Sequence, residues 1–278
     1  MKKTILLLFL FSSSALSYER IVSTVPSLSE ILFVLGLEKK VVGVSRFCSF
    51  SKSFCNKTKV GTAIDLEYEK IVSLKADAIV LSAGTSKSSI KNLEKLKIPV
   101  IPFRHNSLYD VMTSIKDMGR IFSKEKEAKI LIKKINSQFK NAKKIIKNKK
   151  VLFVIGSIIK DSKISNAHVA GSHTFYNDIL NELNLQNIQS DSTTAYPQLG
   201  RERLLMSKAD IIFEIFGSFN KDKIEQKRKS WHELFSHLNR KVKYIPLYGD
   251  FLFLPGPRVG EIASEISKKV SEAYVKAQ

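Results

Sequence analysis

The chain has 278 residues, 44% of them apolar, and carries a formal net charge of +20 at pH 7. That length suits one large domain or two of ordinary size, and the apolar fraction is enough to bury a proper core. The lysines are spread along helix-like stretches such as 124–150, without an RNA-binding or helix-turn-helix signature. We therefore interpret the charge as solvated helix faces and expect no nucleic-acid partner.

The first 17 residues, MKKTILLLFLFSSSALS, have the organisation of a secretory signal peptide. Lys2 and Lys3 precede an apolar run from Ile5 to Phe11, and residues 15–17 fit a small-x-small cleavage site. The apolar run is too short to span a bilayer comfortably, and no cysteine near the cut allows lipid attachment. We predict an exported protein that loses residues 1–17 and is not lipid-anchored.

From residue 20 to 103, short strand-like runs alternate with helical ones. The predicted strands are 20–24, 40–45, 76–83 and 98–103, and the predicted helices are 27–37, 67–75 and 88–97. Ser27 with Glu30 three residues later fits a capping box at the first helix. Such alternation is typical of a mostly parallel sheet with helices on its faces.

Two cysteines, Cys48 and Cys55, lie close together in this half. In an oxidising compartment such a pair most often forms a disulfide, which we expect here. Free thiols remain an alternative, and so does a metal site, although zinc usually requires four ligands.

Residues 107–149 contain no strand-like run, and 125–148 have the spacing of a long amphipathic helix. The alternation then resumes, with predicted strands 150–157, 209–217 and 241–250 and predicted helices 174–185, 201–208, 221–238 and from about 258 onward.

The two halves share a repeated segment. Residues 68–80 read YEKIVSLKADAIV and residues 201–212 read RERLLMSKADII, with Glu69 and Asp77 spaced like Glu202 and Asp210. We therefore predict an α/β fold of two similar Rossmann-like lobes, 18–106 and 150–278, joined by one long rigid helix within 107–149. Ligands of open parallel sheets bind beyond the carboxyl ends of the strands. A cleft between the lobes would there include Ser27, Gly84 and Phe216, and would suit an organic molecule with polar edges.

The segment RIVSTVPSLSEILFVLGLEKKVVGVSRFC resembles the opening of periplasmic binding proteins for cobalamin, ferric siderophores and haem. DLEYEKIVSLKADAIVL, GSHTFYNDILNELNLQNI and SWHELFSHLNRKVKYIPLYGDFLFLPGPR are similar to later blocks of that superfamily, in the same order. The resemblance covers nearly all of the mature chain. It implies a monomeric periplasmic component of an ABC importer, with a rigid interlobe helix that allows limited closure.

GVSRFCSFS and YPQLGRERLL are most similar to the cobalamin-binding branch. This likeness implies that Phe47 and Tyr196 pack on a corrin ring and that Asp250 contacts its polar edge. Ala63 and Ser82-Ala83, however, stand where the best-known cobalamin binder has tryptophans. Core packing of Phe47 and turn capping by Asp250 remain alternatives. Arg258 is expected either to pair with an anionic ligand group or to begin the last helix.

Haem or a ferric siderophore is the alternative ligand. The five histidines are His105, His168, His173, His232 and His237. His232 and His237 belong to a lysine-rich helix and are expected to be solvated, whereas His105 and His173 can face the cleft. One axial ligand suffices for haem, so His105, His173 or Tyr196 could supply it. A bare zinc or manganese site is not expected, because no His-rich acidic loop is present.

The sequence carries no G-x-S-x-G, P-loop, G-x-G-x-x-G or H-E-x-x-H motif, so we expect neither an enzyme nor a resident cofactor. Glu69 and Glu202 each begin a predicted helix, where a carboxylate is favoured by the helix dipole. In the resembling family a glutamate at this place on each lobe docks to arginines of the permease. The resemblance therefore implies that Glu69 and Glu202 are permease-docking residues.

Overall fold

A computed structural model describes residues 18–143, 148–236 and 241–275. The predicted signal peptide and His237 lie outside these residues. No helix in the described ranges is both long enough and apolar enough to cross a membrane.

The first lobe contains a five-stranded, entirely parallel sheet in the order β3-β2-β1-β4-β5. Its strands are β1 (Ile21–Ser23), β2 (Val41–Val44), β3 (Thr58–Lys59), β4 (Ala78–Ser82) and β5 (Val100–Phe103). Its helices are α1 (Pro26–Val34), α2 (Lys52–Cys55), α3 (Tyr68–Ser73) and α4 (Lys87–Lys95). Residues 78–81 of β4 are all buried, as expected for a strand covered on both faces.

Helix α1 begins one residue earlier than predicted, and the predicted capping box is wrong. Pro26 occupies the first turn, Val25 is the N-cap residue, and no side chain caps the helix. Proline fits this position because its missing N–H would have had no partner in the helix. Ser27 and Glu30 are therefore left for contacts outside the helix.

The second lobe contains a six-stranded sheet in the order β11-β10-β6-β7-β9, with β8 also paired to β6. Its strands are β6 (Lys150–Lys160), β7 (Lys163–Val169), β8 (Gln186–Asn187), β9 (Gln198–Gly200), β10 (Ile211–Phe216) and β11 (Lys243–Tyr248). Its helices are α7 (Phe175–Glu182), α8 (Arg201–Met206), α9 (Lys221–Phe235), a short 3-10 turn (Asp250–Phe253) and α10 (Val259–Val275).

This second sheet is mixed, because β10–β11, β6–β10 and β6–β8 pair in parallel whereas β6–β7 and β7–β9 pair antiparallel. Strand β6 continues beyond the predicted end and turns back at Asp161 and Ser162 into antiparallel β7. Both turn residues have positive φ, +48° and +61°, as a two-residue hairpin turn requires. Asp-Ser is a weaker signal for such a turn than Asn-Gly or Asp-Gly, so the hairpin was not recognisable from the sequence.

The connection between the lobes contains the long helix predicted from residue 125, and a second helix precedes it. The connection contains two helices, α5 (Leu108–Ile121) and α6 (Glu125–Lys143). The chain breaks between them at Ser123, whose φ is +54°. At Gly119 a Cβ atom would lie 2.6 Å from the Cβ of Ala128, so glycine allows the two helices to approach closely.

One continuous hydrophobic core links the two lobes. It joins strand residues of the first lobe, such as Ile21, to Ile135 of α6, Phe213 of β10 and Ile266 of α10, all of them buried. Ser267 of α10 also donates a hydrogen bond to the Ala142 carbonyl at 2.9 Å. Because the lobes share this core, their separation would expose apolar surface, which disfavours large rigid-body opening.

The repeated Lys-Ala-Asp has a structural role in each lobe. The Asp77 carboxylate accepts hydrogen bonds from the backbone N–H groups of Glu19 (2.7 Å) and Arg20 (2.9 Å), just before β1. The Asp210 carboxylate accepts one from the N–H of Lys150, the first residue of β6, at 2.8 Å. Each aspartate thus fastens its own strand to the start of the neighbouring one.

Candidate functional site: a cleft between the lobes

A cavity of about 400 Å³ lies between the lobes, and we call it the cleft cavity. The first lobe contributes the end of β1, the start of α1 and the loop after β5, and the second contributes segments around α7, before β9 and after β11. The lining residues are Val25, Ser27, His105, Asn106, His173, Phe175, Ala195, Tyr196, Phe253, Leu254 and Pro255.

The first-lobe wall carries buried polar atoms that have no partner among the described residues. They are Ser27 Oγ and His105 Nδ1 in the cavity lining, with Thr24 Oγ1 and Thr85 Oγ1 on the same edge of the sheet. These residues follow β1, β4 and β5, which are neighbours in the sheet. An unsatisfied buried polar group costs about 1–3 kcal/mol. This edge therefore has hydrogen-bonding capacity for a ligand or for ordered water.

The loop that holds Tyr196 is fastened to the start of α7. Gly171 donates its N–H to the Ala195 carbonyl at 2.8 Å, and Ser172 Oγ donates to the Ser192 carbonyl at 2.6 Å. A Cβ at Gly171 would lie 2.3 Å from the Thr194 carbonyl oxygen, so only glycine allows this approach. Tyr196 thereby lines the same cavity as His173, which precedes the N-cap residue of α7.

Two imidazoles and one phenol therefore line one cavity. Burial lowers the pKa of His105 from 6.5, partly offset by a hydrogen bond to the Phe103 backbone and by Asp110. Neutral imidazole is the form that binds a metal. Burial raises the pKa of Tyr196 above its ordinary value of 10.0, which keeps the phenol protonated in the unliganded protein. The expectation that His105 and His173 face the cleft is confirmed.

A second cavity, of about 360 Å³, borders the cleft cavity, and Phe253 lines both. We call it the lysine cavity, after Lys223 and Lys227 in its wall. Its remaining lining residues are Ile155, Gly156, Ser157, Glu214, Ile215, Phe216, Gly217, Ser218 and Asn220. Phe216 thus lies at the end of β10, as predicted, but lines this second cavity and not the cleft cavity.

Glu214 is the centre of a buried polar network beside the lysine cavity. Its Oε1 accepts hydrogen bonds from Ser157 N (3.2 Å) and Oγ (2.6 Å). Its Oε2 accepts from Trp231 Nε1 (2.9 Å) and the Tyr244 hydroxyl (2.8 Å). Lys227 Nζ lies 3.8 Å from Oε1 and donates to Ser157 Oγ at 2.7 Å. The carboxylate therefore has a donor at every accepting position and a compensating charge nearby.

Asp250 and Arg258 belong to a third location, an ion network across the lobes. Arg258 pairs with the buried Glu30 of α1, Nε to Oε1 at 2.5 Å, and with Asp250 at 3.4 Å. Ser49 Oγ of the first lobe donates to Asp250 at 3.3 Å. Burial raises the pKa of Glu30 above 4.5, and the opposing effect of Arg258 is smaller. Both predicted ligand contacts thus already have protein partners.

The remaining predicted residues lie on exposed loops. Phe47 is 67% exposed, beside the disulfide that joins Cys48 to Cys55 with Cα atoms 5.3 Å apart, which confirms the predicted bridge. Gly84, in the loop after β4, is also exposed. Neither Phe47 nor Gly84 lines the cleft cavity or the lysine cavity.

Glu69 and Glu202 lie in the first turns of α3 and α8. Both side chains belong to exposed residues, and neither carboxylate pairs with a cation in the described ranges. The equivalent position in each lobe thus presents a solvent-accessible negative charge.

Sequence reasoning missed Phe175, Phe253 and the Glu214 network. Lys227 did carry a signal, because it stands on the buried face of α9 with Ile224, Trp231 and Leu234. A lysine on an apolar helix face indicates a buried partner, and here that partner is Glu214 and Ser157. Among the described residues, no group of three or more His, Cys, Asp or Glu side chains is arranged to hold a metal ion.

A family model described as "Periplasmic binding protein" matches residues 21–246. The chain belongs to the periplasmic binding protein family. The predicted resemblance is therefore confirmed, and because this family consists of transporter substrate-binding proteins and not of enzymes, so is the expectation that the chain is not an enzyme.

Two relatives and one solved structure show what this chain is similar to. An uncharacterized ABC transporter substrate-binding lipoprotein of Bacillus subtilis (strain 168) is 31% identical over 264 residues, which cover 91% of this chain and 80% of the relative. A vitamin B12-binding protein of Pectobacterium atrosepticum is 21% identical over 256 residues, 91% of this chain and 89% of the relative. A solved periplasmic haem-binding protein of Vibrio cholerae shares the fold, with a TM-score of 0.75, 21% identity, and coverage of 90% of this chain and 98% of that one.

Proposed function

We propose that this periplasmic binding protein captures cobalamin or a related corrinoid in the cleft cavity and delivers it to the permease of an ABC importer. The observation that carries the proposal is a cavity built by both lobes, with unpartnered polar atoms on one wall and aromatic side chains on the other. The similarity to vitamin B12-binding proteins supports a corrinoid in particular.

The two walls suit different parts of such a ligand. Ser27 Oγ and the His105 imidazole are available to amide or carboxylate groups at the ring edge. Tyr196, 47% exposed, and Phe253, 39% exposed, present aromatic surface for the flat part of the ring. A ligand larger than the cleft cavity would extend past Phe253 toward the lysine cavity.

Haem is the second candidate, and the convergence of His105, His173 and Tyr196 on one cavity favours it. One axial side chain suffices to hold haem iron, and both histidine and tyrosine serve as such ligands. The lowered pKa of His105 would keep its nitrogen available below pH 6.5. A solved haem-binding protein with the same fold is consistent with this candidate.

The absorption spectrum of the protein purified from its native source tests both candidates. A corrinoid and a haem absorb visible light differently, and titration with cyanocobalamin and with hemin gives the affinity of each. We expect Tyr196→Ala to weaken binding about fivefold, since a stacked aromatic contributes about 1 kcal/mol. His232→Ala, exposed on α9, is the matched control. A colourless protein that binds neither cyanocobalamin nor hemin would contradict the proposal.

We further propose that Glu69 and Glu202 dock on basic residues of the permease, one lobe per subunit. Each is exposed and unpaired in the described structure, and a carboxylate–arginine pair is directional. The double variant Glu69→Ala, Glu202→Ala should abolish transport while ligand affinity stays unchanged. Glu94→Ala with Asp222→Ala removes one exposed carboxylate per lobe and is the control. Loss of ligand affinity in the docking variant would place these residues in ligand binding instead.

Export in a soluble, monomeric form is part of the same proposal, with removal of residues 1–17 and no lipid anchor. The Bacillus subtilis relative is a lipoprotein, so the anchor is the point to test. N-terminal sequencing and intact mass of the exported protein should give a chain that begins at Tyr18 without acyl groups. A mature chain that retains these residues or carries a lipid would contradict this part.

A further inference from the structure

The lysine cavity has a positive charge that the protein does not neutralise. Lys227 is only 7% exposed, and its charge is compensated by Glu214, which lies 3.8 Å away and is the one carboxylate among the lining residues. Lys223 also lines the cavity, with Nζ 6.0 Å from the centre of the Phe216 ring, and pairs with no carboxylate in the described ranges. Asp222, its neighbour on α9, is exposed and is not part of the lining.

The rest of the wall leaves room for a ligand group beside this charge. At Gly156 and at Gly217, nothing lies within 4 Å of the position that a Cβ would take. The lining also contains the first turn of α9, a helix of 15 residues that begins after the N-cap Asn220. The positive end of the helix dipole therefore adds to the field of Lys223.

The position of the cavity connects it to the ligand site. Phe253 lines the cleft cavity on one side and the lysine cavity on the other. The lysine cavity is lined by residues of β6 and by the end of β10, and the segment after β11 contributes to both cavities through Phe253. A ligand in the cleft cavity that extended past Phe253 would bring a side arm into the lysine cavity, where Lys223 is part of the lining.

From these observations we infer that the lysine cavity is a subsite for an oxyanion, a carboxylate or phosphate group on a side arm of the bound ligand. The inference rests on the proposed function, because the cleft cavity must hold the ring that carries the arm. Lys223 is the residue that pairs with the anion. Lys227, already committed to Glu214 and Ser157, fixes the shape of the wall.

The test compares each chelate with a form that lacks the anion. Cyanocobalamin, which has a phosphodiester, is compared with dicyanocobinamide, which lacks one, and hemin is compared with its dimethyl ester. For the chelate that binds, we expect Lys223→Gln to weaken binding of the compound that carries the anionic group (the anionic form) about tenfold and to leave binding of the compound without it unchanged. The preference for the anionic form should also decline with added salt. Lys221→Gln, at the exposed first residue of the same helix, is the matched control and should change neither.

The outcomes separate the subsite from the proposed function. Binding of a chelate with the same preference in wild type and Lys223→Gln overturns the subsite and leaves the function intact. Failure to bind any of the four compounds overturns the proposed function. In that case, titration with inorganic phosphate tests the subsite by itself. Saturable shifts of the amide signals of residues 217–224 on phosphate titration, absent in Lys223→Gln, would support the subsite, and their absence in wild type would overturn it.

Discussion

The two lobes share a repeated frame but differ in how their polar groups are satisfied at the cleft. In the first lobe, Ser27 and His105 present buried atoms without partners at the carboxyl edge of the sheet. In the second, the corresponding edge contains Glu214, whose two oxygens accept four hydrogen bonds beside a compensating lysine. One lobe thus has open hydrogen-bonding capacity, and the other has a completed network with a cationic surface.

This difference indicates that the two lobes contribute to binding in different ways. A completed network holds its side chains in place before a ligand arrives, which lowers the ordering cost of binding. Unpartnered groups gain most from a ligand that satisfies them, because their burial already costs free energy. Asp77 and Asp210 make similar strand-fastening contacts in the two lobes. The polar side chains at the cleft, by contrast, differ between the lobes.

The largest expected effect comes from breaking the completed network. Glu214→Ala would leave Trp231 and Tyr244 without their acceptor and the buried Lys227 without its counter-charge. We expect a loss of about 3–5 kcal/mol in the free energy of unfolding, measured by urea denaturation. Glu94→Ala, on the exposed face of α4, should change it by less than about 0.5 kcal/mol. A loss below about 1 kcal/mol for Glu214→Ala would show that the network is not cooperative.

The repeated aspartates allow a direct comparison of the two frames. Asp77 accepts two backbone hydrogen bonds and Asp210 accepts one. We expect Asp77→Ala to lower the free energy of unfolding by about 2 kcal/mol and Asp210→Ala by about 1 kcal/mol. Asparagine at each position, which keeps an acceptor oxygen, should restore part of the loss. Equal losses, or a larger one for Asp210→Ala, would contradict the structural reading of the repeat.

The contact between the lobes has a pH dependence of known sign. Because burial raises the pKa of Glu30 above 4.5, its contribution to stability is fully present below that pH and is lost as the pH rises through the raised value. We expect wild type to lose stability over this window relative to Glu30→Gln, whose side chain does not titrate.

Chemical denaturation of both proteins from pH 4 to pH 8 measures this slope, with Glu94→Gln as the control at an exposed site. Parallel stability curves for wild type and Glu30→Gln would show that the Glu30 carboxyl does not titrate abnormally in the folded protein.

Local patterns in the sequence were enough to predict much of the fold. The alternation of strands and helices, the disulfide between Cys48 and Cys55, and the paired lobes all follow from short-range signals. The hairpin at Asp161 and Ser162 was not predictable in this way. Its turn needs a positive φ at both residues, and neither aspartate nor serine indicates a positive φ as glycine or asparagine would. Likewise, the spacing of apolar residues predicted α6 from residue 125 but not the separate helix α5, which ends before the positive-φ break at Ser123.

The site was predictable where it depends on strand ends and less so where it depends on distant partners. Ser27, His105 and Tyr196 were predicted to reach the cleft because of their positions after strands or in a loop, and all three line the cleft cavity. The pairing of Arg258 with Glu30 joins residues 228 positions apart, which no local pattern encodes. The sequence therefore predicted that Arg258 pairs with the ligand or begins the last helix. In the structure its partner is the buried carboxylate of Glu30 in the other lobe.

A crystal structure of the protein with its bound chelate tests the central claim most directly. We predict ligand density in the cleft cavity, with polar groups of the ligand within hydrogen-bond distance of Ser27 Oγ and His105, and with Tyr196 in contact with the ring. Ligand density elsewhere, for example in the groove lined by Phe33, Phe50 and Ile130, would contradict the account.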